Sequence, residues 1–490
     1  MIRHFALSLG ALLLAAGCGK NNGPEVREDC VYEKLDLSAC DRSGLGALQT
    51  EGIWNMDLTF DDGEVTSGAI KYVGEPQISG LPITSTRVEQ DTFLLNSEVQ
   101  SSSGSTFQYL FAGCRAASPT QVEGVFRRCV NGTQDLGGTF RAARVQRRAG
   151  EGDSSRVELV SEKALPREEG KALPRGVDVF VAGGYAYISA LGEGLFIYKV
   201  SDPAAPQLVA RLKPPEADAD AWHQVWVQGQ TMYIASTKRG VIVYNVENPE
   251  APVAVKSFPT DRAVEVRAVA MDGNWLYAAS PYPNAEVVVF DATNPRELVV
   301  GKRYFVEQTQ PELGERPYDV LARDGRLYVS HWTYGLVVSD VANPKAPKQL
   351  GRFAYSGATT RTVDVGTIGN RTLAFEAGEG WGAHLRVLDV SAPALITQVA
   401  EYALRPEVSL RAVKLVGTKL YLAHYQDGLR ILDVSNPNLL QEAGYYNTWR
   451  ETDLERGLSY FEGLSDVAVP GDGYIYATET SRGLLIFREP

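Results

Sequence analysis

ILDVSNPNLL, residues 431–440, alternates apolar side chains, ends that run near an Asp and closes in a turn holding Pro437. Near-copies recur along the chain. LFIYKVSDP closes at Pro203, VIVYNVENP at Pro249, VVVFDATNP at Pro295 and LVVSDVANP at Pro344. LRVLDVSAP follows at Pro393, ILDVSNP at Pro437, and LLIFREP at Pro490. Successive prolines stand 46, 46, 49, 49, 44 and 53 residues apart. A fixed period of this size marks a solenoid, propeller or array, because one repeat cannot bury its apolar faces without neighbours.

Within a repeat, four short alternating segments are separated by turn residues. The first reads VDVFVAG, YAYISAL, GLFIYKVSDP and PQLVARL; the second reads HQVWVQG, MYIASTK, GVIVYNVENP and PVAVKSF. Four strands per repeat describe a propeller blade, whose third strand should be apolar on both faces because blades stack on each other. Asp291, Asp340, Asp389 and Asp433 end that strand, where a carboxylate can accept turn N–H groups. Lys199 and Asn245 break the pattern, so the turn asks for a polar residue rather than a charge. These side chains are read as scaffold. The last copy stops after its third strand, and an open sheet edge invites aggregation. SRVELVSEKALP (155–166) matches the fourth-strand pattern and is expected to close blade seven, mainly through 155–161. Blade five, with FEAGEGWGAH between its second and third strands, is the least regular.

The seven copies resemble the LVIVD-repeat family, a bacterial extracytoplasmic group of seven-bladed propellers within the YVTN-like set. The resemblance covers roughly 155–490. It implies the fold and a location outside the cytoplasm, and it implies no reaction.

A net charge of −12 disfavours nucleic acid, whose phosphates it repels. MIRHFALSLGALLLAAGCGK has Arg3, an apolar run from Phe5 to Ala16, and small residues before Cys18. That run is too short to span a bilayer and reads as an export signal over 1–17. LAAGC resembles the bacterial lipobox, which implies acylation of Cys18, palmitate included, and a lipidated tether over 18–27. Gly19 in place of Asp favours the outer membrane by the same resemblance.

Residues 28–146 lack the repeat. GIWNMDLTF, VTSGAIKYV, STFQYLFAG, QVEGVFRRC and GGTFRAARV alternate between Gly- and Ser-rich turns, which predicts a small antiparallel barrel or sandwich. Gly52-Ile53-Trp54 is similar to the opening of a lipocalin, which would imply a ligand cup; a structural module is the plainer reading. Cys30, Cys40, Cys114 and Cys129 make an even set in an exported chain, so two disulfides are expected. If FQYLFAG and VEGVFRR form a hairpin, Cys129 lies roughly 25–30 Å along the strand from Cys114 at ~3.3 Å per residue. Cys30 and Cys40 are therefore each expected to reach one of the later pair. Residues 147–154 have linker composition and precede the propeller at 155–490.

Catalytic patterns are absent from the sequence. There is no HExxH and no Ser-centred elbow, GEGWG at 378–382 leads into no helix, and EADADAWH (216–223) lacks the Gly and Glu of a calcium loop. No cofactor, metal or catalytic residue is assigned. Aromatics concentrate instead in the loops of one propeller face: Trp222, Trp332, Tyr334, Trp381, Tyr425, Tyr446, Trp449, Tyr460 and Phe461, with His331 and His424 at equivalent places. Exposed large aromatics mark interfaces. Asp178, Gln224, Arg267, Asp319, Asp364, Arg411 and Asp466 stand at the entrances of the inner strands and should ring the channel mouth. Two functions follow: a binding or scaffolding propeller for a protein, peptide or glycan, or a hydrolase or lyase at the channel mouth. The long loop 446–463 is expected to serve the binding face.

Overall fold

The computed structural model describes residues 29–215, 220–259 and 261–489. The export signal and Cys18 lie outside these residues, as does 216–219 of the acidic run. Two compact units divide the chain. One ends at Arg148 and takes in Arg450–Glu462; the other comprises Ala149–Trp449 and the chain from Gly463 onward.

The second unit is a seven-bladed propeller of antiparallel sheets. Third strands such as Gly194–Lys199, Gly240–Asn245 and Glu286–Asp291 are buried along nearly their whole length. Outer strands such as Val253–Phe258 are largely exposed. Leu195, Phe196 and Ile197 are fully buried, each side chain contributing about 1.5–3 kcal/mol of apolar transfer.

The repeated Asp does what its place in the turn requires. Asp291 Oδ1 accepts the Thr293 N–H at 3.0 Å, Asp340 that of Ala342 at 2.8 Å, Asp389 that of Ser391 at 3.0 Å and Asp433 that of Ser435 at 2.8 Å. Asn245 accepts from Glu247 N at 3.1 Å in the same way. Lys199 has no acceptor to offer and pairs with Glu250 at 3.1 Å instead.

Ring closure falls on Glu158–Lys163, which pairs antiparallel with Gly483–Arg488 as the fourth strand of blade seven. Arg482 fixes the joint through Glu162, at 2.9 and 2.6 Å. Ser154–Ser155 pairs elsewhere, adding a fifth strand to the outer edge of blade six opposite Tyr445 and Tyr446. The closing strand therefore starts later than 155, because Ser155, with Ser154 before it, already serves another blade.

The first unit is one curled antiparallel sheet of nine strands, a half-barrel rather than a closed barrel or sandwich. Ile53–Phe60 lies between Val65–Lys71 and Thr133–Arg144, and the sheet continues through Gln121–Val130 and Thr106–Ser118. Trp54, Met56, Phe93, Phe111, Phe126 and Phe140 belong to its packed core. Disulfides join Cys30 to Cys129 and Cys40 to Cys114, so each early cysteine reaches one of the later pair.

Arg450–Glu462 belongs to this unit, which changes the reading of loop 446–463. Gly457 packs so close to Ile53 and Lys71 that a Cβ there would lie 3.1 and 3.0 Å from their side chains. The Glu462 carboxylate accepts the N–H groups of Gly457, Leu458 and Ser459 at 2.8–3.1 Å. Tyr460 and Arg456 are fully buried. The middle of the segment is a folded part of the N-terminal unit, not a free loop of a binding face. Among the described residues no helix is long and apolar enough to cross a membrane.

Candidate functional site

The inner strands of all seven blades contribute to one small cavity at the channel mouth, of about 40 Å³. By the yardstick of one water per ~10–15 Å³, it has room for a few waters or one small polar group. Asp178, Gln224, Arg267, Asp319, Arg411 and Asp466 line it, as the sequence led us to expect. His223, Arg361 and Thr362 line it too and were missed.

Asp364 is a correction. Thr362 faces Ala377 in the register where Asp178 faces Ser189 and Asp319 faces Ser330, so Thr362 holds the mouth position of blade five. The hairpin of that blade is longer at its far end, turning at Ile368 and Arg371, and counting from the turn misplaces the mouth by two residues. Asp364 sits further along the strand, where it accepts the Leu415 N–H at 2.8 Å.

Several inner strands carry a bulge near their start, as at Gly176/Asp178, Trp222/Val225, Thr360/Thr362 and Leu464/Asp466. A bulge re-aims neighbouring side chains, which is how consecutive residues such as His223 and Gln224 both reach the cavity. Arg267, Arg361 and Arg411 share one register, each a residue ahead of the mouth position. That common register is the signal by which Arg361 could have been found.

Some mouth residues also clasp blade to blade. Asp466 accepts the Val179 N–H at 2.8 Å, Asp178 that of Val225 at 2.9 Å and Gln224 that of Val269 at 2.7 Å. Burial pushes the Asp178 carboxyl well above the usual carboxylate range, and the neighbouring Asp466 charge pushes it further. Burial raises Asp466 as well, and raises Asp319 against the opposing pull of Arg361. His223 is driven well below its ordinary value by burial and by Arg267, Arg361 and Arg411. It is neutral at pH 7, and its Nε2 meets Thr237 Oγ1 at 2.9 Å.

Behind the cavity wall, Glu379 serves two arginines. Its oxygens lie 3.4 Å from Arg361 Nε and 3.7 Å from Arg411 Nε, and Tyr425 donates its hydroxyl to it at 2.6 Å. The glycine-flanked acid of GEGWG thus belongs to the site's support.

The exposed aromatic rim is not found. Trp222, His331, Trp332, Tyr334, His424, Tyr425 and Tyr460 are buried, and Trp381, Tyr446, Trp449 and Phe461 are half-buried. Trp222 opens an inner strand instead of standing in a loop, and its Nε1 donates to the buried Asp220 at 3.1 Å. Trp332 and Tyr425 adopt left-handed backbone, φ 43° and 29°, and bridge to Thr360 and Leu464 of the next blade. Such a conformation is costly for a bulky side chain and turns the loop inward. The Tyr334 hydroxyl donates to the Glu307 carbonyl at 2.9 Å, and Arg352 stacks 3.9 Å over its ring. These aromatics fasten loops to the ring.

A family model of the LVIVD repeat matches residues 175–213, 318–354 and 410–448. No curated protein matches the chain. Among solved structures, the computationally designed Ika8 protein is similar at 6% identity and TM-score 0.44, covering 64% of this chain and 96% of its own. The WD40 beta propeller domain of Doa1 is similar at 11% identity and TM-score 0.48, covering 68% of this chain and 97% of its own. At such identities and scores neither carries anything about function. The repeats and the seven sheets agree on one statement: this chain contains a seven-bladed β-propeller, three of whose blades carry recognisable LVIVD repeats.

Proposed function

We propose that the protein is an extracytoplasmic binding propeller, tethered to the outer membrane through acylated Cys18, that takes a protein, peptide or glycan partner at its channel mouth. The observation that carries this reading is the convergence of side chains from all seven blades on one polar cavity. The two disulfides fit an oxidising compartment outside the cytoplasm. A photocrosslinking residue in place of Val177, which lines the mouth, should yield a discrete adduct on intact cells. The same residue in place of the exposed Val253 should not. Adducts at Val253 alone, or at neither place, would defeat the channel-mouth assignment. For the tether, Cys18→Ser should release the protein from the membrane fraction; unchanged fractionation with continued lipid labelling would remove that part.

One observation favours the alternative, a hydrolase or lyase. Asp178, Asp466 and a neutral His223 share the cavity, and carboxyls displaced upward by burial are typical of acid–base sites. Turnover of a hydrolase or lyase substrate that Asp466→Asn abolishes would establish this reading over simple binding.

A further inference from the structure

Arg267 pairs with Glu265, but the other two arginines at the channel mouth, Arg361 and Arg411, are poorly supplied with acceptors. A guanidinium has five N–H donors. Among the described residues the Arg411 guanidinium donates no hydrogen bond to protein; the closest ion-pair contact is with Glu379, 3.7 Å from Nε. Arg361 gives Nη1 to the Tyr318 carbonyl at a long 3.4 Å and otherwise only shares Glu379. Both side chains are largely buried, at 15% and 19% exposure, and both line the cavity. One carboxylate therefore stands between two guanidiniums from behind, while Asp319, Asp178 and Asp466 act on them only through their charge, without a side-chain hydrogen bond from either arginine, so their remaining donors face the channel.

We infer that the channel mouth recognises a carboxylate group, received by the open donors of Arg361 and Arg411. This deepens the proposed function and rests on it. A planar carboxylate matches the fork of a guanidinium, and the cavity has room for such a head group but not for a large ligand. The support of the two arginines is rigid: Tyr425 holds Glu379, and the Glu379 N–H is bound by the Thr359 carbonyl at 3.0 Å. On the acidic side of the cavity, burial raises both Asp178 and Asp466, with the Asp466 charge raising Asp178 further, which favours their neutral forms and lessens the repulsion an entering anion would meet. The carboxylate can come from a small acid or from an acidic side chain of a partner; the chemistry at the arginines is the same.

Calorimetric titration of the full chain separates these sources. The probes are succinate, citrate, a peptide ending in Asp or Glu, and inorganic phosphate. At least one carboxylate should bind saturably, and Arg361→Lys and Arg411→Lys should each weaken it at least about tenfold, because the charge stays while the fork is lost. The melting temperature of each variant guards against misfolding. Succinate or citrate binding assigns a small acid; binding of the peptide alone assigns a partner's side chain. Absence of any saturable carboxylate binding, unchanged affinity in both folded Lys variants, or binding of phosphate alone would overturn the inference. A photocrosslinked partner at the Val177 position that persists in the Lys variants would leave the binding propeller standing while this inference fell.

Discussion

The two units solve the same problem, an open sheet edge, by different means. The propeller closes on itself: Glu158–Lys163 completes blade seven by backbone hydrogen bonds, and no disulfide takes part. The half-barrel leaves its sheet open and is held by Cys30–Cys129 and Cys40–Cys114, with sequence separations of 99 and 74, and by the inserted Arg450–Glu462. A repeat array gains stability from each neighbour, whereas a small single sheet buries too little surface and recruits crosslinks and borrowed segments. The difference teaches where each unit is vulnerable.

The largest effect should come from deleting 155–166. Blade seven would lose its outer strand, and the ring's cooperative melting transition should disappear with aggregation. A deletion variant that stays monomeric and melts as before would show that closure does not depend on this strand. Tyr460→Ala should next cost about 3–5 kcal/mol, since the ring is fully buried, and the loss should fall on the transition of the half-barrel. Calorimetry that shifts only the propeller's transition would contradict the placement of 450–462. Replacing Cys40 and Cys114 together by Ser should cost about 2–5 kcal/mol, again confined to the half-barrel.

Acid sharpens the contrast from the other side. Burial holds His331 down to about 3 and His424 down to about 4, His424 being partly offset by Asp427. A lowered histidine value means that the unfolded chain binds protons first. The stability is thus fully present above the ordinary 6.5 and is lost as pH falls toward about 4 and then 3. His331 has no hydrogen-bond partner on either nitrogen and lies 5.6 Å from the Tyr334 ring. His331→Phe should therefore be close to neutral at pH 7 and recover about 3 kcal/mol of propeller stability at pH 4. Melting curves across that range check it; an unchanged acid slope would mean the histidine does not set it. The smallest effect is Asp433→Ala, which removes one turn hydrogen bond and should lower the propeller's stability by about 1 kcal/mol, read by chemical denaturation.

The propeller was legible because each strand's burial repeats with the period of the sequence. The refrain at 431–440 carried its strand and its Asp turn, and the structure uses both locally. The half-barrel was legible as strands, but neither its openness nor the borrowed 450–462 was, since both depend on contacts distant in sequence. At the channel mouth six of seven expected residues converge, and the exception, Asp364, failed where blade five's hairpin is longer. His223 and Arg361 escaped because bulges bring two consecutive residues to the channel, which strict alternation forbids.

By itself the sequence determined the repeat, the number of blades, the strand that closes the ring and the capacity for two disulfides, all of which follow from local periodicity and residue chemistry. Only the tertiary structure decided that the aromatic loops turn inward, that Glu379 stands between Arg361 and Arg411, and that 450–462 builds the other unit. The physical reason is that burial and charge pairing are properties of the packed whole. A Trp in a turn is exposed or sealed by what folds over it, and an arginine is satisfied or left open by carboxylates that arrive from other blades.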